Sequence, residues 1–230
     1  MLRFFAAALL ICNSLEAAAR TPVIVELFTS EGCSSCPAAD NLLAEFERNQ
    51  PVPQAEIIVL SEHVDYWNSL GWKDPFSAPL FTERQQFFAS VLHSDDVYTP
   101  QAVVGGRFAI VGSRTTELLN AIKQSAQQAD PIPQVTVTRQ GETLLVNTPP
   151  PIRGQTWVAL TEASLTSRVA HGENAGQTLH HVGVVRYLKK MTGNQASIVI
   201  DKSWSSDLRL VVFVQDAHSG QILQALQKKL

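Results

Sequence analysis

An apolar run, Val23-Ile-Val-Glu-Leu-Phe28, leads through Thr29-Ser-Glu-Gly32 into Cys33-Ser-Ser-Cys36, with Pro37 immediately after. Six mostly apolar residues before a glycine turn read as a strand buried on both faces. Proline suits the first turn of a helix, where its missing N–H is not needed. The two cysteines therefore fall where a strand becomes a helix. At positions i and i+3 they can close a small disulfide ring. The orphan N–H groups and positive dipole end of a helix stabilise a thiolate there. Such a pair suits thiol–disulfide exchange, in which one thiolate attacks and its neighbour resolves the mixed disulfide. Zinc or copper ligation and a plain staple are the other readings of this spacing. A bridge across two residues stabilises little, because the stabilisation grows with the loop closed.

The start of the chain bears on the compartment. Met1-Leu-Arg3 is a short basic start, Phe4 to Ile11 is apolar, and Ala17-Ala-Ala19 fits a small-x-small cleavage pattern. This predicts a secretory signal peptide over 1–19, too short for a stable membrane anchor. The third cysteine, Cys12, falls inside it. The expected location is periplasmic or secreted, with no membrane span after signal cleavage. In such oxidising surroundings one remaining cysteine pair is either structural or catalytic. The net charge is −3 with no basic stripe, which gives no reason to expect nucleic acid as a partner. An apolar fraction of 45% supports a real core.

With 230 residues the chain exceeds what one small domain needs, by a soft prior of about 100–200 per domain. The pattern predicts strands at 23–28 and 56–62, and helices at 37–49 and 81–92. Gly105-Gly106 then predicts a hairpin between strands 101–104 and 107–111. Ser113 is positioned to cap a helix reaching about Gln128. Strands separated by helices imply parallel pairing, and the hairpin adds antiparallel strands. Asp130-Pro-Ile-Pro133 marks an expected boundary, dividing 20–130 from 131–230. Beyond it, short strands are expected at 134–139, 143–147, 155–160, 182–186, 197–200 and 209–215, with a short helix from Gln221. The fold class expected is α/β for the first part and an all-β sandwich for the second, α+β overall.

Three features in order make the first part resemble the thioredoxin family: the strand–Cys33-Ser-Ser-Cys36–helix, Tyr98-Thr99-Pro100 before a strand, and the Gly105-Gly106 hairpin into a last helix. The resemblance implies that Pro100 is cis and lies against the dithiol, and that Thr99 offers its backbone to substrate. More closely, the chain is similar to a bacterial secreted thioredoxin-like family catalogued as domain of unknown function 1223. That likeness rests on Val25–Asp40, His63-Val-Asp-Tyr-Trp67 with Gly71-Trp72, Tyr98–Gln101, and Gly172-Glu-Asn-Ala-Gly176 with His180-His181. It covers nearly everything after Arg20.

The expected catalytic set is Cys33 as attacking thiolate at the solvent end of the helix, Cys36 as resolving thiol, Pro100 and Glu26. Glu26 lies on the strand leading to the dithiol, where a buried carboxylate can carry protons; an ion-paired or solvated glutamate is the alternative. Gly32, where thioredoxins often carry an aromatic residue, is expected to leave the thiol open. Thr99, Tyr98, Trp67 and Trp72 are the candidate substrate-binding residues, the tryptophans being equally suited to anchoring a loop. Adjacent His180 and His181 on a strand point to opposite faces, which disfavours one shared metal. No small-molecule cofactor is implied. The expected partner is a protein thiol or disulfide. A Cu(I)- or zinc-handling module, with His63 beside the thiolates, and a non-enzymatic adaptor with a permanently closed bridge are the alternatives.

Overall fold

The computed structural model describes residues 20–94, 96–132 and 134–230. The expected signal peptide and Pro133 of the expected boundary lie outside them. In chain order the elements are β1 (Thr21–Thr29), α1 (Cys36–Asn49), β2 (Ala55–His63), α2 (Pro79–Val91), β3 (Gln101–Val104), β4 (Phe108–Val111), α3 (Thr115–Ser125) and β5 (Asp130–Pro131). There follow β6 (Thr136–Gln140), β7 (Thr143–Asn147), β8 (Gln155–Arg168), β9 (Thr178–Lys190), β10 (Gln195–Val199), β11 (Leu208–Gln215) and β12 (Ile222–Lys229). The fold is mixed α/β. One nine-stranded mixed sheet runs β4-β3-β1-β2-β9-β8-β11-β12-β5, and a three-stranded antiparallel sheet runs β10-β7-β6.

β1 pairs parallel with β2 and antiparallel with β3, and β3 forms the hairpin with β4. β1 is buried on both faces, with alternate residues serving different layers. Val23, Val25 and Leu27 pack with Ile57 and Val59 against Ala39, Leu43 and Phe46 of α1 and Leu118 and Ile122 of α3. Ile24, with Ile58 and Leu60, faces the other way, toward Phe81 of α2. Odd-numbered residues of β1 and β2 thus face α1, and even-numbered ones face α2.

The sheet continues across the expected boundary. β9 joins β2 in parallel at Ser61↔Val184, and the Ser61 hydroxyl donates to the Val182 carbonyl at 2.7 Å. Gly183 makes this approach possible: its φ is +59°, and a Cβ there would stand 2.2 Å from the Val59 carbonyl oxygen. The α2-side core also spans both halves, joining Ile24, Ile58 and Phe81 to Ala159, Val185, Val211 and Phe213. A further core lies between the small sheet and the large one, with Leu144, Val146 and Ile198 meeting Val158, Leu160, Leu210 and Val212.

Three expectations are corrected. The segment after Gln221 is not a helix but β12, paired antiparallel along β11. Leu-Gln-Ala-Leu-Gln has good helix propensity, but the open edge of β11 decides its conformation. α3 starts after Arg114 without a side-chain cap, so Ser113 does not cap it. β8 and β9 are 14 and 13 residues long, far longer than expected. They pair with each other through Ser- and Thr-containing stretches whose sequence alone reads as turn.

Candidate functional site

β1 delivers the chain to Thr29, a tight turn follows, and Cys36 opens α1 with Pro37 beside it. The turn is held by the Cys33 N–H donating to the Ser30 carbonyl and the Cys36 N–H donating to the Cys33 carbonyl. Cys33 and Cys36 are disulfide-bonded, with Cα atoms 5.4 Å apart. Such a close pair at a helix start suggests thiol redox chemistry.

Both cysteines are fully buried, which corrects the expectation of an open thiol. Gly32 does not expose the sulfur; its missing side chain admits Trp67, whose Cβ would lie 3.2 Å from a Cβ at that position. The indole N–H of Trp67 donates to the Thr99 hydroxyl at 2.9 Å, and the Thr99–Pro100 bond is cis. Pro100 packs near Gly112, which in turn lies against Ala39 of α1 and Leu27 of β1. Tyr98 contributes its carbonyl, which accepts from the Gln85 amide at 2.7 Å. Trp67, Thr99 and Pro100 therefore gather around the cysteine turn and α1.

A loop from the far half of the chain completes the cover. Asn174, buried, donates from Nδ2 to the carbonyls of Glu31 (2.9 Å) and Cys33 (3.0 Å). The Glu173 carboxylate accepts the Ser34 N–H at 3.0 Å. Trp72 lies beneath this loop, against Gly172, and its indole N–H donates to Glu31 Oε2 at 2.7 Å.

Behind the bridge lies a buried polar network that sequence reasoning did not assemble. His181 places Nε2 3.3 Å from Glu31 and Nδ1 3.7 Å from Asp40, whose other carboxylate oxygen accepts the Thr29 hydroxyl. Neither histidine contact is a formed hydrogen bond, so the pairing is ionic. Burial alone would push the imidazole down; Asp40 and Glu31 outweigh it and raise it to about 9. Next to it, His63 Nδ1 lies 2.7 Å from Asp74, which also accepts the N–H groups of Glu31 and Phe76. Against its desolvation, His63 and these N–H donors hold the Asp74 carboxyl below its ordinary range. The signals were modest. Asp40 stands one helical turn after Cys36, and the alternation of a strand turns His181 inward while His180 stays exposed.

Glu26 is placed elsewhere. As an even-numbered residue of β1 it faces α2, where it pairs with Arg84 beside Glu62, which is 3.4 Å from the same guanidinium. Its ion-pairing partner, Arg84, belongs to this cluster and not to the cysteine turn. Burial, then the neighbouring Glu26, push the Glu62 carboxyl well up. Arg84 also borders a cavity of about 320 Å³ with Trp157, Phe87, Leu80 and Lys190, on the face away from α1. Among the described residues, no three His, Cys, Asp or Glu side chains are grouped to hold a metal. Among them, too, no helix is long and apolar enough to cross a membrane.

Residues 24–215 match the family described as protein of unknown function, DUF1223. The chain belongs to the DUF1223 family. No curated protein matches it. The DUF1223 chain is similar to a structural-genomics crystal structure of a protein from Agrobacterium tumefaciens. Identity is 26% and the TM-score 0.65, over 92% of this chain and 95% of that one.

Proposed function

We propose that this chain is a periplasmic or secreted thiol–disulfide oxidoreductase acting on a protein partner. In this reading residues 1–19 are a cleaved signal peptide, 20–130 form a thioredoxin-like unit, and 131–230 a sandwich-like β unit that lends strands to the same sheet. The observation that carries the reading is the Cys33–Cys36 bridge at the head of α1, with Trp67 and Thr99 joined beside its turn.

A partner thiolate attacks Cys33 Sγ, the Cys33–Cys36 bond breaks, and Cys36 leaves as a thiolate that takes up a proton. The partner's second thiolate then attacks its own sulfur in the mixed disulfide and releases Cys33. The partner loses two electrons and the dithiol gains them; the reverse sequence reduces a partner. Pro100 and Thr99 shape the edge along which the partner lies, with Trp67 holding the Thr99 hydroxyl. Tyr98 and Trp72 support this edge through the Gln85 and Glu31 contacts. Glu26, paired to Arg84, has no part in this scheme.

Cys33→Ser is expected to abolish insulin reduction and peptide oxidation, and Cys36→Ser to accumulate mixed disulfides. Full activity in both variants would refute the assignment. One observation favours a second reading, a permanently closed bridge in a non-enzymatic adaptor: both sulfurs are buried. The reduction potential separates the two.

A further inference from the structure

The loop bonded to the cysteine turn is placed as an occupant of the site would be. Glu173 stands exposed at its tip while its carboxylate holds the Ser34 N–H, in the turn between the two cysteines. Asn174 follows it inward and takes the carbonyls of Glu31 and Cys33, the kind of backbone contact an extended chain makes when it docks on a turn. Glycines at both ends, Gly172 (φ +78°) and Gly176 (φ +82°), let the loop fold back on itself. Ser34, through its hydroxyl and then its N–H, holds the Glu173 carboxyl below its ordinary range, so it is a carboxylate at neutral pH. The two segments carrying Trp67 and Thr99, joined by the indole–hydroxyl bond, also expose Tyr66, Leu70 and Val97, large side chains with 38%, 60% and 42% of their surface open. Exposed apolar side chains beside a reactive centre mark a surface for a polypeptide.

We propose that loop 172–177 is a built-in substitute for the substrate, and that the site takes a protein segment carrying an acidic side chain next to its cysteine. The segment's carboxylate replaces that of Glu173 on the Ser34 N–H, its apolar neighbours lie on Tyr66, Leu70 and Val97, and the displaced loop uncovers Cys33. A small thiol without a carboxylate, such as dithiothreitol, meets the covered bridge. This inference rests on the exchange reading and adds to it the partner's chemistry.

Two measurements on the mature chain test it. The first is the rate of bridge reduction by dithiothreitol in the native protein. Glu173→Ala, an exposed and structurally mild change, is expected to speed it about tenfold, the scale of one charge-assisted hydrogen bond. Glu117→Ala, on the surface of α3, is expected to leave it unchanged. Equal rates for Glu173→Ala and the unmodified protein would overturn the covering role.

The second uses the Cys36→Ser protein and two peptides, each with a single cysteine as a thionitrobenzoate mixed disulfide, flanked by glutamates in one and lysines in the other. The Cys33 thiolate attacks the peptide sulfur and expels thionitrobenzoate, which is read by absorbance. The glutamate peptide is expected to react about tenfold faster by the same hydrogen-bond scale, and to keep its lead when Glu173→Ala is added. Equal rates, or a lead for the lysine peptide, would overturn the inference while leaving exchange intact. No reaction with either peptide would overturn both.

Discussion

Two clusters of buried charge lie on opposite faces of the same sheet. On the α2 face, Arg84 is held by Glu26 and Glu62 and stacked among Phe88, Trp157 and Phe213, with its guanidinium carbon 5.1, 4.8 and 5.5 Å from their ring centroids. On the α1 face, His181 lies between Glu31 and Asp40, beside His63 and Asp74, and Glu31 stands two residues before Cys33. The first cluster is one cation closed in by its counterions and aromatic rings. The second is a looser set whose histidine contacts are long and whose backbone shapes the cysteine turn. Burial of charge alone does not mark a functional site; what distinguishes the second cluster is its attachment to the cysteine turn.

The largest expected effect is on the α2 face. Arg84→Met leaves Glu26 and Glu62 buried without a cation and is expected to cost about 3–5 kcal/mol in urea unfolding. In protein that remains folded, the reactivity of the bridge is expected to stay the same. A changed bridge would mean that the two faces are coupled.

His181→Gln probes the other face and is expected to cost about 1–3 kcal/mol near pH 6, where the imidazolium is fully formed. Its folded value of about 9 lies above the ordinary value of about 6.5. The stabilisation is therefore complete below pH 6.5 and is lost as the pH rises through 9. Melting temperatures from pH 6 to 10 are expected to converge for the two proteins. A constant gap would remove His181 from its place between the carboxylates. Glu62, also raised, is present in both proteins and cancels.

The smallest effect separates the two carboxylates of Arg84. Glu62→Gln removes the more distant carboxyl partner of Arg84, one whose charged form burial disfavours, and is expected to cost under about 1 kcal/mol at pH 7. Glu26→Gln, which removes the nearer partner of Arg84, is expected to cost more. The reverse ranking would make Glu62 the principal partner of Arg84.

The same contrast shows what was legible in the chain. The strand into Cys33-Ser-Ser-Cys36, the Gly105-Gly106 hairpin and the helix at Leu118–Ile122 are local patterns, and each was readable from spacing. Thr99-Pro100 was readable through the family likeness. The meeting of β2 with β9 at Gly183 was not, because one glycine on a strand does not name the carbonyl it must clear. The set Glu31, Asp40, His181 and Asn174 draws on positions more than 130 residues apart in places, and only the closed sheet brings them together. Glu26 was misleading for a simpler reason: a strand alternates its faces, and the even-numbered positions of β1 look toward α2.

The most direct test of the account is the reduction potential of the Cys33–Cys36 pair, by titration in glutathione buffers with mass-spectrometric readout. An exchange enzyme is expected to lie between roughly −120 and −270 mV, the span from strong oxidants to thioredoxin-like reductants. A bridge that stays closed below about −300 mV would behave as structural disulfides do. That would contradict the exchange reading and leave the buried bridge as a staple.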